Sequence, residues 1–233
     1  MKGPQRKPLR VNYWALAALF PIHIPLTFPQ WTQVHFSDKS SPKFETLAKT
    51  TDHCEQWSVK TANSTGGYVY RLEAPVPLTE NETQVSWNWS VTKFPTIVEP
   101  LFEKRSDDFA LRVGILVSDG HSSIQEVRRF TSRPIDVSYV IFFDAYPKKI
   151  PETSNCGLNP YLHRAADCFL LASPKTEHIE LNPYGKIRSQ FKLSEREMSE
   201  LRIVGFWIDA NSDNSKSSSD ATFSDLQLTS RRN

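Results

Sequence analysis

A stretch of nine residues, QVSWNWSVT at positions 84–92, alternates strictly between polar and apolar side chains. Two tryptophans and two valines fall on one face, and this period of two is typical of a half-buried antiparallel strand. Because Trp87 and Trp89 share their face with valine only, we expect both in the core rather than on an exposed sugar-binding platform.

Further strand patterns follow along the chain. Residues 109–118 alternate in the same way, whereas 137–145 and 202–210 are apolar on both faces, as in central strands. Shorter strand patterns occupy residues 67–74, 167–173 and 221–229. The connections 94–108 and 145–166 are too long for hairpin turns. Together these features predict an all-β fold, a jelly-roll-like antiparallel β-sandwich.

Two short helices are expected between the strands. Ser194 followed by Glu197, and Ser123 followed by Glu126, have the spacing of a capping box at a helix start. No internal repeat or linker interrupts the later part of the chain, so residues 31–233 are predicted to form one domain.

The N-terminus has the composition of an export signal. Residues 1–10 carry four basic side chains and no acidic one, and residues 11–28 are almost wholly apolar. This order predicts a signal peptide or an uncleaved signal anchor over residues 1–30. The alternative is a hydrophobic strand packed on the domain. The formal net charge of +2 lacks the strongly basic character of a nucleic-acid binder.

The chain has three cysteines, Cys54, Cys156 and Cys168, and none of them forms a CxxC pair. A zinc site is therefore not expected. In an exported protein Cys156 and Cys168 can bridge a loop, and the alternative is that all three are free buried thiols.

The segment DANSDNSKSSSD, residues 209–220, has side-chain oxygens at the first, third, fifth, seventh and twelfth positions of a twelve-residue window. This is the ligand spacing of a calcium loop. The candidate ligands are Asp209, Asn211, Asp213, Ser215 and Asp220. Because strands rather than helices flank the segment, it is not an EF-hand, and a solvated polar turn is the favoured interpretation.

Sequence fingerprints of common enzymes are missing, including GxSxG, HExxH, GxGxxG and GxxxxGK[ST]. Carboxylates do occur at strand ends, among them Asp108 and Asp144. Since a glycosidase needs two facing carboxylates, a polysaccharide hydrolase or lyase remains an alternative.

Four blocks of the sequence resemble one known family. They are VSWNWSV, DDFALRVGILV, SYVIFFDA and IVGFWIDANSDNSKSSSDATFSDL. These blocks, within roughly residues 60–228, resemble a bacterial family of exported proteins catalogued as domain of unknown function 3047. The family has no established activity, so the resemblance assigns no catalytic residue. It implies a periplasmic or inner-membrane-anchored β-sandwich similar to carbohydrate-binding jelly rolls, in which calcium is often structural.

We therefore expect a non-catalytic binding protein of the cell envelope whose ligand is a carbohydrate. Candidate ligand-binding residues are exposed hydrogen-bonding and stacking groups in or beside the long loops. They are Asp108, Tyr146, Asn159 and Tyr161. No nucleic-acid partner is expected, and membrane contact is expected only through an uncleaved N-terminal segment. A purely structural envelope protein is the remaining alternative.

Overall fold

In the computed structural model, residues 19–34, 36, 39–47, 55–125, 127 and 135–231 are described. Thirteen strands of these residues form two sheets that pack face to face. The strands are β1 Leu19–His23, β2 Trp31–Val34, β3 Lys43–Leu47, β4 Gln56–Ala62, β5 Thr65–Pro77, β6 Gln84–Lys93, β7 Phe109–Ser118, β8 Tyr139–Tyr146, β9 Cys156–Leu158, β10 Ala165–Leu171, β11 Glu177–Leu181, β12 Arg202–Asn211 and β13 Ser218–Arg231.

Sheet A has the strand order β11-β6-β13-β4-β3, with β1 also paired to β13. Sheet B has the order β2-β5-β12-β7-β8-β10-β9. The predicted β-sandwich is confirmed, and the two strands that are apolar on both faces, β8 and β12, lie inside sheet B as expected. One pairing departs from the antiparallel prediction, because β10 runs parallel to β8. The long connection 147–164 allows this by carrying the chain back to the starting end of β8.

The main core lies between the sheets and is rich in aromatic side chains. Trp87 and Trp89 are buried to 0% and 1% exposure, which confirms the predicted core face of β6. Their rings lie 5.6 Å apart in an edge-on arrangement, and Trp87 also contacts the ring of Phe143 from sheet B. Side chains of β6 thus join the two sheets.

The fold begins before residue 31. Strand β1 pairs with β13, and Ile24 and Leu26 are buried in the main core. Two indole groups also bond to this segment, because Trp31 Nε1 donates to Pro25 O at 2.8 Å and Trp57 Nε1 donates to Leu26 O at 2.7 Å. Residues 19–30 therefore pack on the sandwich in this structure, and the signal or anchor over residues 1–30 with a domain boundary at residue 30 stays a prediction.

Two α-helices, α1 (Tyr184–Phe191) and α2 (Glu195–Glu200), precede β12. The capping box of α2 is confirmed, since Ser194 N donates to Glu197 Oε2 at 2.8 Å and Glu197 N donates to Ser194 Oγ. The other predicted helix start, at Ser123, leads into a segment that lies largely outside the described residues. No helix in the described part of the chain is long and apolar enough to cross a membrane.

A disulfide joins Cys156 to Cys168 across the paired strands β9 and β10 at one edge of sheet B. The bridged alternative for these two cysteines is the one found. Cys54 lies outside the described residues.

Candidate functional site

The candidate site lies on the outer face of sheet B, away from sheet A. Odd-numbered residues of β7 from 111 to 117 belong to the core between the sheets, so the even-numbered Arg112, Gly114 and Leu116 lie on the outer face. Described residues of the connection between β7 and β8 cover one part of this face. Its apolar side chains Ile124, Val127, Ile135 and Val137 form a second cluster there with Leu116 and Val140. The other part of the face carries polar and charged groups.

An aromatic row crosses three neighbouring strands of this face. Trp207 of β12 is paired with Gly114 of β7, which is paired with Phe142 of β8. A Cβ atom on Gly114 would lie 2.8 Å from the Phe142 ring and 3.1 Å from Trp207 Cβ. Because Gly114 has no side chain, the two rings approach each other over its backbone, with centroids 5.6 Å apart.

A charged row lies next to the aromatic row. Asp209 of β12, Arg112 of β7 and Asp144 of β8 occupy paired positions. The Arg112 guanidinium bonds Asp144 through both carboxylate oxygens, at 2.5 and 3.1 Å. It also bonds Asp107 at 2.7 Å and lies 3.4 Å from Asp167 Oδ1 of β10. One cation therefore binds three carboxylates directly.

Aromatic rings flank the same guanidinium. Its central carbon lies 3.6 Å from the ring centroid of Phe109 and 4.8 Å from that of Phe142. Such contacts between a cation and the face of a ring are attractive. They also keep water away from Arg112, which is 4% exposed.

Burial changes the protonation of this cluster. Loss of water raises the pKa of Asp107, Asp144 and Asp167, although the positive charge of Arg112 acts in the opposite direction. Burial likewise raises the pKa of Asp209 to about 7, and the neighbouring charge of Asp107 adds to the rise. The cluster therefore holds protons at pH values where exposed carboxyl groups have lost theirs.

A cavity of about 400 Å³ opens above the two rows, and we call it the outer cavity. This volume is in the usual range for a small-molecule site. Its lining residues are Phe36, Lys39, Thr65, Asp107, Arg112, Phe142, Asn159, Tyr161, Leu162, Trp207, Asp209, Asn211, Asp213 and Asn214. Aromatic rings, carboxylates and amides thus face one space.

One wall of the outer cavity comes from the loop between β9 and β10. Asn159 Nδ2 donates to both oxygens of Asp167 at 3.0 Å, while its Oδ1 accepts the backbone N–H groups of Tyr161 and Leu162. The Tyr161 hydroxyl donates to Lys104 O at 2.9 Å, and 49% of Tyr161 is exposed. Asn159 therefore fixes the loop against the charged row and presents Tyr161 at the rim.

A second wall of the outer cavity is the turn between β12 and β13. Asp108 accepts the backbone N–H groups of Asn214 at 3.1 Å and Ser215 at 2.7 Å. Asp213 forms an ion pair with Lys39 at 2.9 Å. Asp108 thus shapes the turn, while its neighbour Asp107 bonds Arg112.

The structure divides the four predicted ligand-binding residues. Asn159 and Tyr161 line the outer cavity, whereas Asp108 and Tyr146 do not. The expectation that these two are exposed is wrong, because Asp108 is 7% and Tyr146 5% exposed. Strand β8 continues to Tyr146, which packs on the ring of Phe169 at 5.1 Å, so the loop begins later than the sequence indicated.

The five candidate calcium ligands have separate surroundings. Asp209, Asn211 and Asp213 line the outer cavity. Ser215 shares a hydrogen bond with the Ser217 hydroxyl at 2.7 Å, and Asp220 forms an ion pair with Lys60 of sheet A at 3.4 Å. Within the described ranges no group of three or more His, Cys, Asp or Glu side chains is arranged to hold a metal ion. Calcium binding stays a prediction.

Several residues of the site were not selected from the sequence. They are Asp107, Arg112, Gly114, Phe142, Asp167 and Trp207. One feature of the sequence could have identified part of this site. Arg112 and Gly114, a charged and a small residue, lie two positions apart inside an otherwise apolar strand. Such residues are unusual in a buried strand and mark the face that is not apolar core.

Comparison with known families gives one match. The model of the family described as "Protein of unknown function (DUF3047)" matches residues 29–142. The resemblance to this family is confirmed. The DUF3047 match begins before β2 and ends within β8, and it includes Asp107, Arg112 and Phe142 of the outer cavity. No curated protein matches the chain.

Several solved structures have a partly similar backbone fold but low sequence identity to this chain. The catalytic domain of Humicola grisea Cel12A is 10% identical, covers 84% of this chain and 91% of its own, and has a TM-score of 0.47. A family 12 xyloglucanase from Bacillus licheniformis is 8% identical, with coverages of 92% and 99% and a TM-score of 0.48. Winged bean acidic lectin is 10% identical, with coverages of 93% and 100% and a TM-score of 0.37. At these scores the likenesses carry no weight for the function of this chain.

Proposed function

We propose that this protein is an exported component of the cell envelope that binds a carbohydrate in the outer cavity. The observation that carries the proposal is the ring of Tyr161, which lines the cavity and is 49% exposed. The apolar face of a sugar ring can stack on an exposed aromatic ring of this kind.

The remaining groups in the cavity suit the two surfaces of a sugar ring. Tyr161 and the half-buried Phe36 offer apolar ring faces for its C–H groups, whereas Trp207 and Phe142 line the cavity almost fully buried. Asn211 and Asn214, with the carboxyl groups of the charged row, offer hydrogen bonds to its hydroxyls. A cavity with these features is also an argument against a purely structural role.

Two observations support export. The basic and then apolar order of residues 1–28 is typical of an export signal. The disulfide between Cys156 and Cys168 fits an oxidising compartment such as the periplasm. We propose a periplasmic location, with membrane attachment only if the N-terminal segment is retained.

A polysaccharide hydrolase is the second candidate, and one observation favours it. Asp107 and Asp209 both line the outer cavity, and burial raises the pKa of Asp209 to about 7. A carboxyl group that keeps its proton near neutral pH is suited to donate it to a leaving oxygen. The pair Asp108 and Asp144 considered from the sequence does not fit this chemistry. Asp108 holds backbone N–H groups, and both oxygens of Asp144 bond Arg112.

The test is calorimetric titration of the full chain with a panel of soluble oligosaccharides, together with an assay for new reducing ends. Trp207→Phe places a smaller ring in the cavity lining and changes the shape offered to the ligand, and we expect it to lower affinity about fivefold or more. Trp87→Phe is the matched control, because it makes the same exchange in the main core, away from the cavity.

Loss of affinity in Trp207→Phe, with Trp87→Phe unchanged, is the expected result. Equal affinities of both variants and the unmodified protein would overturn the assignment of the ligand to the outer cavity. Release of reducing ends, abolished by Asp209→Asn, would favour the hydrolase.

A further inference from the structure

We infer that the carbohydrate bound in the outer cavity carries a free cationic amino group, so that the preferred ligand is an amino sugar. This inference rests on the proposed function and names the ligand class for the same site. It follows from the charge balance of the cavity, the position of Asp209 and the aromatic lining.

The charge balance is unequal. Four carboxyl groups surround the cation Arg112, and each is at most about a tenth exposed. They belong to Asp107, Asp144, Asp167 and Asp209. The other positive side chain that lines the cavity, Lys39, already forms an ion pair with Asp213. Lys104 lies outside, with Nζ 5.5 Å from the Tyr161 ring centroid. Among the described residues, carboxyl groups therefore outnumber basic side chains around the cavity.

Asp209 is the one of these four carboxyl groups that lines the cavity without an ion pair to Arg112 among the described residues. Its three acidic neighbours contact Arg112, whereas Asp209 accepts backbone N–H groups from Ala210, at 2.8 Å, and from Gly66. In the described part of the chain it has no ion pair with a basic side chain. The charge of Arg112 favours ionised Asp209 but forms no ion pair with it, so the buried carboxylate is only partly compensated and favours a proton or a cation from outside.

The aromatic lining selects the kind of cation. Trp207, Phe142 and Tyr161 line the same cavity as Asp209, with Tyr161 exposed, and ring faces attract ammonium groups. Arg112, stacked on Phe109 and Phe142, already shows a cation accommodated by rings of this face. A metal ion fits less well, since the carboxylates are not grouped to ligate one in the described residues. An amine on a sugar can meet Asp209 and the rings while its hydroxyls meet the amides.

The test compares three disaccharides that differ in one substituent. Glucosamine disaccharide carries an ammonium group at each second carbon, its N-acetylated form carries a neutral amide there, and cellobiose carries a hydroxyl. Each is titrated into the full chain at low ionic strength and pH 7. We expect the amine form to bind on the order of tenfold more tightly than either neutral form.

Two variants locate the effect. Asp209→Asn keeps the shape of the side chain and removes its charge, and it should reduce the preference for the amine to about twofold or less. Glu180→Gln removes one negative charge from exposed strand β11 of sheet A and should leave the preference unchanged. A second readout is proton release. Amine binding should release protons, detected by calorimetry in buffers of different ionisation enthalpy, and Asp209→Asn should diminish the release.

The outcomes are distinct. Equal binding of cellobiose and the amine form would overturn the amino-sugar inference and leave carbohydrate binding intact. A preference for the amine that Asp209→Asn retains in full would also overturn it. If the folded chain binds none of the three, and none of the oligosaccharide panel, both the inference and the proposed function fail.

Discussion

Replacing Asp209 by asparagine should change how the stability of this protein depends on pH. The pKa of Asp209 is raised from 3.8 to about 7 in the folded chain, chiefly by burial. The folded state therefore keeps a proton over a range in which the unfolded state has lost it. The stability contributed by this proton is complete below the unfolded pKa and is lost as the pH rises through the folded pKa.

The size of the effect follows from these two values. Between pH 5 and pH 8, a group with a folded pKa of about 7 and an ordinary unfolded pKa loses roughly 2–3 kcal/mol of stability. The buried carboxyl groups Asp107, Asp144 and Asp167, whose pKa values are also raised, add losses of the same sign. Asparagine does not titrate, so Asp209→Asn should lose about 2–3 kcal/mol less than the unmodified protein over this range.

The assay is urea unfolding of both proteins at pH 5 and pH 8 with the disulfide intact. Asp220→Asn serves as control, because Asp220 lies on sheet A in an exposed ion pair with Lys60. This control should follow the pH dependence of the unmodified protein. If Asp209→Asn and the unmodified protein lose the same stability within about 0.5 kcal/mol, the assignment of a retained proton to Asp209 is refuted.

Three further predictions concern other parts of the molecule. Gly114→Ala should destabilise the fold by about 1–3 kcal/mol in urea unfolding and weaken ligand binding, because the new methyl group meets the Phe142 ring; unchanged stability and affinity would contradict the role given to this glycine. Deleting residues 1–30 should lower the thermal midpoint strongly, because it removes buried Ile24 and Leu26; an unchanged midpoint would contradict their place in the core. After EDTA treatment, added calcium should leave the thermal midpoint unchanged, because the candidate oxygens engage different partners; a rise with calcium concentration that Asp220→Asn abolishes would instead identify a calcium site.

The strands of this fold could be predicted from the sequence because their signal is local. Alternation in β6 identified its buried face, and apolar runs identified β8 and β12 as interior strands. The parallel pairing of β10 with β8 could not be predicted, since it depends on where the long connection 147–164 returns the chain. The capping box of α2 was visible because it involves residues three apart.

The site was only partly visible for the same reason. Tyr161 and Asn159 were found as polar residues of a long loop, and Asp209 was found through the spacing of the segment 209–220. Their common cavity arises from strand register, which pairs Asp209 with Arg112 of a distant strand. Local sequence carries no information on that register. The calcium spacing was a regularity along the chain, whereas the five oxygens engage different partners in space.

The most direct test of carbohydrate binding in the outer cavity is the indole N–H spectrum of the ¹⁵N-labelled full chain. The protein has six tryptophans, and comparison with Trp207→Phe identifies the Trp207 signal. On titration with glucosamine disaccharide, the Trp207 Nε1–H signal should shift and reach saturation, while the signals of Trp87 and Trp89 in the main core stay in place. A saturating shift confined to tryptophans other than Trp207, or no shift at millimolar ligand with any of the three disaccharides, would contradict the account.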